Sequence, residues 1–237
     1  MKIDTQELKQ IAAVQPPRFD MYGGIHKAIR ALMADTLVAV GRMDPDDAPE
    51  AARTGDRVMQ LLDFCAAHLA HENEFVHAAI EARAPGASAA IGHDHEEHVQ
   101  EIGQLAATVA ALGCAEGAQR HALAQSLYRQ LAQFVAANFQ HMHVEETAHN
   151  AVLWAHYTDA ELVQVHDALV ASIAPEEMMV TARWLVPFLN PAERAGLLLD
   201  MRAKAPAPAF DAILGVTRPH LTHAEDAKLA RALDLPA

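Results

Sequence analysis

The chain has 237 residues, 51% of them hydrophobic and 5% aromatic, enough to fill one large core or a core with a small appendage. Its 18 Lys and Arg stand against 31 Asp and Glu, a formal charge of −13, which repels phosphate backbones and anionic lipid and argues against nucleic acid as a partner. No stretch reaches the roughly 18 consecutive apolar residues of a membrane span, MKIDTQELKQIAAVQPP at the start has no apolar run of signal-peptide length, and Cys65 and Cys114 are too few for a disulfide framework, so a cytoplasmic protein without a membrane partner is expected.

Ala-rich segments and few β-branched runs between turns predict an all-α protein. After an N-terminal tail over residues 1–18, apolar periodicity predicts helices over 19–43, 52–83, 89–112 and 117–156. Their separators carry turn signals: DPDDAPE after Met43, RAPGAS after Ala82, and Gly113 to Gly117. Short connections between long helices favour antiparallel neighbours, hence an up-down-up-down four-helix bundle over 19–157. Beyond Tyr157 shorter helices are predicted at about 159–173, 176–188 and 191–204, with two pieces between 207 and 234. They form a helical C-terminal extension, 158–237. Asn190-Pro191-Ala192-Glu193 is its clearest start signal, because Asn caps, Pro fits the first turn and Glu stands three residues after the cap.

The unusual feature is the 15 histidines, several clustered with glutamate. At about 100° per residue, Leu61, Cys65, Leu69, Val76 and Ala79 form a stripe around His68, and Glu72 lies within it at about 40°. On the fourth helix, Leu127, Leu131, Phe134, Val152 and Leu153 mark the stripe that carries His141 and Glu145. Ile91, Ile102, Leu105 and Val109 put His98 at the centre of the third helix's apolar face, with His95 about 60° away and still inside. Phe19, Tyr22, Ile29, Met33 and Leu37 do the same for His26.

Burying four histidines and two carboxylates without partners would cost several kcal/mol for each group, together about the whole folding free energy of 5 to 15 kcal/mol. Metal ions remove that cost. Neutral imidazole with anionic carboxylate suits iron, and a carboxylate can bridge two cations.

At these residues the sequence resembles a known family. IHKAIRALM around His26, HLAHENEFVHAAIE around His68, EEHVQEI around His98 and HMHVEETAHNAVLW around His141 are similar to the four ligand segments of hemerythrin-like, or HHE cation-binding, domains, over roughly residues 19–157. The resemblance implies a bundle of hemerythrin type in which His26, His68, His98 and His141 bind two Fe ions, Glu72 and Glu145 bridge them, and an oxo or hydroxo group completes the centre. Oxygen-carrying members have HxxxH on the third helix and HxxxxD on the fourth. Here Asp94 and Ile102 flank His98 at the four-residue positions and Glu145 follows His141 by four, so the five-His set is not reproduced, and His95 is the residue that could supply another nitrogen. The four-His, two-Glu set is similar instead to bacterial di-iron proteins linked to iron-sulfur cluster repair under nitrosative or oxidative stress, and to iron- and oxygen-sensing relatives. A small diatomic or peroxide ligand at an open coordination position is what that likeness implies, while the C-terminal extension over 158–237, which carries no chemistry of its own, points to a protein partner engaged through those helices.

Other histidines and acids read differently. Glu74 with His77 and Glu146 with His149 have the ExxH spacing of ferritin-like ligands, but Glu74 and His77 point about 240° and 180° from His68, and the first helix offers no Glu. His149 lies on the inner face and reads as a core histidine; His71, His93 and His143 fall off the apolar faces; His166, His220 and His223 read as surface or packing residues. Glu97 and Glu146 point aside from the ligands and can orient them. Cys65 reads as a small core residue. Arg30 either pairs with a carboxylate near the site or reaches solvent. Zinc is disfavoured because structural zinc is tetrahedral and usually Cys-rich. Finally, protonated imidazoles inside an iron-free bundle would be unpaired charges, so stability is expected to fall as pH drops through 6 to 7, with iron moving that loss lower.

Overall fold

A computed structural model of the chain describes residues 18–235, so all but Arg18 of the expected N-terminal tail lies outside the described residues. These are helical nearly throughout and contain no strand. Helix α1 is Gly23–Arg42. Asp20 starts it, its Oδ1 accepting from the backbone N–H of Tyr22 at 2.9 Å and of Gly23 at 3.1 Å, and a Cβ at Gly23 would collide with that same carboxylate.

Helix α2 covers 48–83 in three parts: α-helical Ala48–His71, a π turn over Glu72–His77, and α-helical Ala78–Arg83. It begins four residues before the expected start because the acidic, Pro-containing stretch read as a loop is a cap. Asp47 accepts from the N–H of Glu50, and Pro49 fills a first-turn position whose missing N–H costs nothing. Helix α3 is Ala89–Cys114. Helix α4 covers 117–156 as Gly117–Val144, a second π turn over Glu145–His149, and Asn150–His156.

Packing joins α1 to α2, α2 to α3, α3 to α4 and α4 back to α1, the closed ring of an up-down-up-down bundle. Leu32, Met33, Leu61, Leu62, Leu105, Leu127, Leu131 and Phe134 fill one end of its interior. Met21, Tyr22, Val76, Ile80 and Leu153 fill the other. Each buried aliphatic or aromatic side chain contributes about 1.5–3 kcal/mol, and between the two clusters lies the layer that holds the histidines and glutamates.

Five further helices follow: α5 Asp159–Ser172, α6 Pro175–Leu185 with a 3-10 turn Val186–Phe188, α7 Pro191–Lys204, α8 Ala207–Thr217, and α9 His223–Leu233. Thr158 with Glu161, Asn190 with Glu193 and Thr222 with Glu225 form reciprocal capping boxes that start α5, α7 and α9. Leu162 of α5 joins the cluster around Met21 and Tyr22, Trp184 of α6 joins the bundle core, and α6 with α7, α8 and α9 closes a further core around Ala182, Val186, Leu198, Phe210 and Leu233. Arg194 lies in that core at 2% exposure, donating to the carbonyls of Val186, Pro187 and Leu189.

Candidate metal centre

His26 of α1 is fully buried, its ring centroid 5.4 Å from that of Tyr22. His68 and Glu72 on α2, and His141 and Glu145 on α4, follow at four-residue spacing on inner faces. The two glutamates face each other across the bundle and divide their oxygens the same way. Glu72 Oε1 lies 3.6 Å from His26 Nε2 and 3.1 Å from His68 Nε2, while its Oε2 lies 3.6 Å from His95 Nε2. Glu145 Oε2 lies 3.5 Å from His26 Nε2, while its Oε1 lies 3.5 Å from His95 Nε2 and 3.3 Å from His141 Nε2. His95 and His141 turn their Nε2 atoms toward each other at 3.1 Å.

Among the described residues three groups of converging donors result: His26, His68 and Glu72; His95, His141, Glu72 and Glu145; and His77 and His149 with Glu145. The third-helix imidazole that reaches the carboxylates is therefore His95. His98 lies one helical turn along the same face, its ring 5.0 Å from that of His141, its Nδ1 3.2 Å from Glu101 Oε2 and its Nε2 buried without a hydrogen-bond partner. Periodicity put both on the inner face; only the axial level of α3 against α2 and α4 separates them.

Both glutamates open a π turn. Each π turn takes up one extra residue and so turns the following helix back by about 100°. This corrects the reading of His77: its direction moves from about 180° to about 80° from His68, back onto the inner stripe. It is buried, stacks on His95 with ring centroids 4.7 Å apart, and groups with Glu145 and His149. His149 Nδ1 is 3.2 Å from the hydroxyl of buried Tyr22. Glu74 remains exposed, so the ferritin-like pair is not assembled.

A further shell holds the imidazoles. His26 Nδ1 is 2.9 Å from Glu146 Oε1, and Arg30 donates two hydrogen bonds to the same carboxylate at 2.6 and 3.1 Å; of the two roles open to Arg30, this is the first. His95 Nδ1 is 2.9 Å from Asn73 Oδ1, and His141 Nδ1 is 3.6 Å from Asp94 Oδ2. Asn73 and Tyr22 carried no sequence signal for such roles; Glu146, read as pointing aside, orients His26. His71 pairs with Glu177 of α6 at 2.8 Å, His93 is exposed beside Glu96 and Glu97, and His166 packs edge-on against Phe19. His220 and His223 are exposed, and Cys65 is buried in the bundle core.

Without a cation the layer is electrostatically divided. Burial opposes charge on His26, yet Glu146, Glu72 and Glu145 outweigh it and raise its pKa to about 9. His141 is raised against the same opposition by Glu145 and Glu72. Burial lowers His77 to about 4 and also lowers His98 and His149. Glu72 stays well below the carboxylate range despite burial because His68 and His26 favour its anion. Six of the converging atoms, His26 Nε2, His68 Nε2 and all four oxygens of Glu72 and Glu145, are buried with no hydrogen-bond partner. Each such group costs about 1–3 kcal/mol or more. A cation held there would satisfy several of them at once, and nitrogen with carboxylate oxygen and no thiolate is a fitting set for iron.

Comparison with curated proteins and with solved structures finds no match. The family model described as hemerythrin HHE cation binding domain matches residues 20–152, the span that contains every residue of this layer. The chain belongs to the hemerythrin HHE cation-binding family.

Proposed function

We propose that the chain holds two iron ions, one between His26 and His68 and one between His95 and His141, with Glu72 and Glu145 each giving one oxygen to either position. The observation that carries this is the matched division of the two carboxylates, whose four oxygens are buried and otherwise partnerless. In this reading His95 takes the third-helix place expected for His98. Two nitrogens and two shared oxygens leave each ion short of a full ligand set, so the centre is suited to O2, NO or peroxide and to a part in oxidative or nitrosative stress or in iron-sulfur cluster repair. Iron, when bound, supplies redox and Lewis-acid chemistry. The chain's own groups orient the imidazoles through Glu146 and Asn73, and the apolar clusters on either side limit water.

Two measurements test it. Protein produced with ample iron should contain about two irons per chain, and the reduced form, exposed without air to O2, NO or peroxide in turn, should change its optical spectrum. Occupancy below one iron, or filling by a single zinc, would overturn the proposal.

A second reading, an iron- or oxygen-dependent module signalling through the C-terminal helices, rests on two contacts. Glu177 of α6 holds His71, the residue before Glu72, and Glu193 of α7 holds Lys27, the residue after His26. A protease-cleavage pattern of residues 158–237 that is the same with and without iron would remove this reading.

A further inference from the structure

The two imidazole pairs are backed by unlike groups. Behind His26 stands a carboxylate, Glu146, half-buried and held by Arg30, which donates to both of its oxygens, including the Oε1 that faces His26. Behind His95, at the same 2.9 Å, stands the neutral amide oxygen of Asn73. Behind His141 the carboxylate of Asp94 is partly exposed and at 3.6 Å. A carboxylate accepting from the outer nitrogen of an imidazole raises the basicity of the inner one and fixes its tautomer; an amide oxygen fixes the tautomer but supplies no charge. Asn73 and Glu146 stand one residue after Glu72 and Glu145, so the two π turns present an amide and an anion at equivalent points.

Resting on the two-position reading above, we infer that Glu146 and Asn73 are positioning residues that make the two metal positions unequal, the His26–His68 position binding a divalent cation more tightly and filling first. Arg30 sets the strength of this bias, because its two hydrogen bonds hold Glu146 in place while its charge withdraws part of the carboxylate's negative field from His26.

The test is stepwise anaerobic titration of the metal-free full-length chain with Co2+, read by its visible absorption, with helicity monitored to exclude unfolding. The wild-type chain should bind in two resolved steps. Glu146→Gln should weaken the first step by about 10–100-fold, the range for loss of such a partner, and leave the second nearly unchanged. Asn73→Asp should tighten the second, a gain that a merely structural role for Asn73 does not produce. The Glu146→Gln effect should persist in a His95→Ala background and vanish in His26→Ala. Two equal steps in the wild type, or two steps whose constants neither substitution moves selectively, would overturn the assignment while leaving the two-metal reading standing. Uptake of no more than one Co2+ would overturn both.

Discussion

His77 stacks on His95 with ring centroids 4.7 Å apart and planes 16° from parallel, although an unbroken α-helix would aim His77 to the opposite side of α2. The π turn that begins at Glu72 is the cause, and it brings a second imidazole from α2 into the layer beside Glu145 and His149.

His95, not His98, approaches both glutamates, and this separates two neighbouring substitutions. His95→Ala should lower iron content from about two per chain toward one, as His141→Ala should, while His98→Ala and His166→Ala leave it near two. Metal analysis of the four variants decides it, and equal losses for His95 and His98 would contradict the geometry.

The pH dependence of the metal-free protein should differ from that expected for unpaired buried imidazoles, because carboxylates face His26 and His141. His26 is raised from 6.5 to about 9, so its contribution, on the order of 3 kcal/mol, is full below 6.5 and is lost as pH rises through 9. His77 is lowered to about 4, so its contribution is full above 6.5 and is lost as pH falls toward 4. Urea unfolding should show a maximum near pH 6 to 7. A cation competes with protons for His26, so the gap between loaded and metal-free stability should widen from pH 6.5 to 9, and a gap that narrowed there would show that His26 does not face the cation.

Glu177→Ala removes the partner of His71, a pair of partly exposed groups. Its cost should be no more than about 1 kcal/mol. Under the signalling reading, the same substitution should alter the protease sensitivity of the C-terminal helices in iron-loaded protein and lose the difference between loaded and metal-free forms. A wild-type response in the variant would show that this contact carries no signal.

Arg194→Ala leaves the carbonyls of Val186, Pro187 and Leu189 without their donor and opens a void in the C-terminal core. A destabilisation of roughly 3 kcal/mol or more is expected, with iron content of the bundle unchanged. Equilibrium unfolding together with metal analysis checks both parts, and loss of iron would show that the extension supports the centre directly.

Much of this protein is local and therefore legible in its sequence. Four long helices, the Asn190 start signal and the inward direction of His26, His68, Glu72, His141 and Glu145 follow from a 3.6-residue period read over one segment at a time. The start of α2 was obscured because Asp47 and Pro49 serve a loop and a helix start equally well.

What the sequence by itself determined is which side chains each uninterrupted α-helical segment sends inward, since that depends on periodicity along a single segment. What only the tertiary structure decided is which inward groups meet: His95 rather than His98, His77 returned to the inner face by a π turn, and Glu146 behind His26 while Asn73 stands behind His95. Those outcomes depend on the axial level of one helix against another and on an extra residue absorbed where polar groups crowd the interior. Both are set by packing between residues that lie 18 to 120 positions apart in the chain, so no reading confined to one helix contains them.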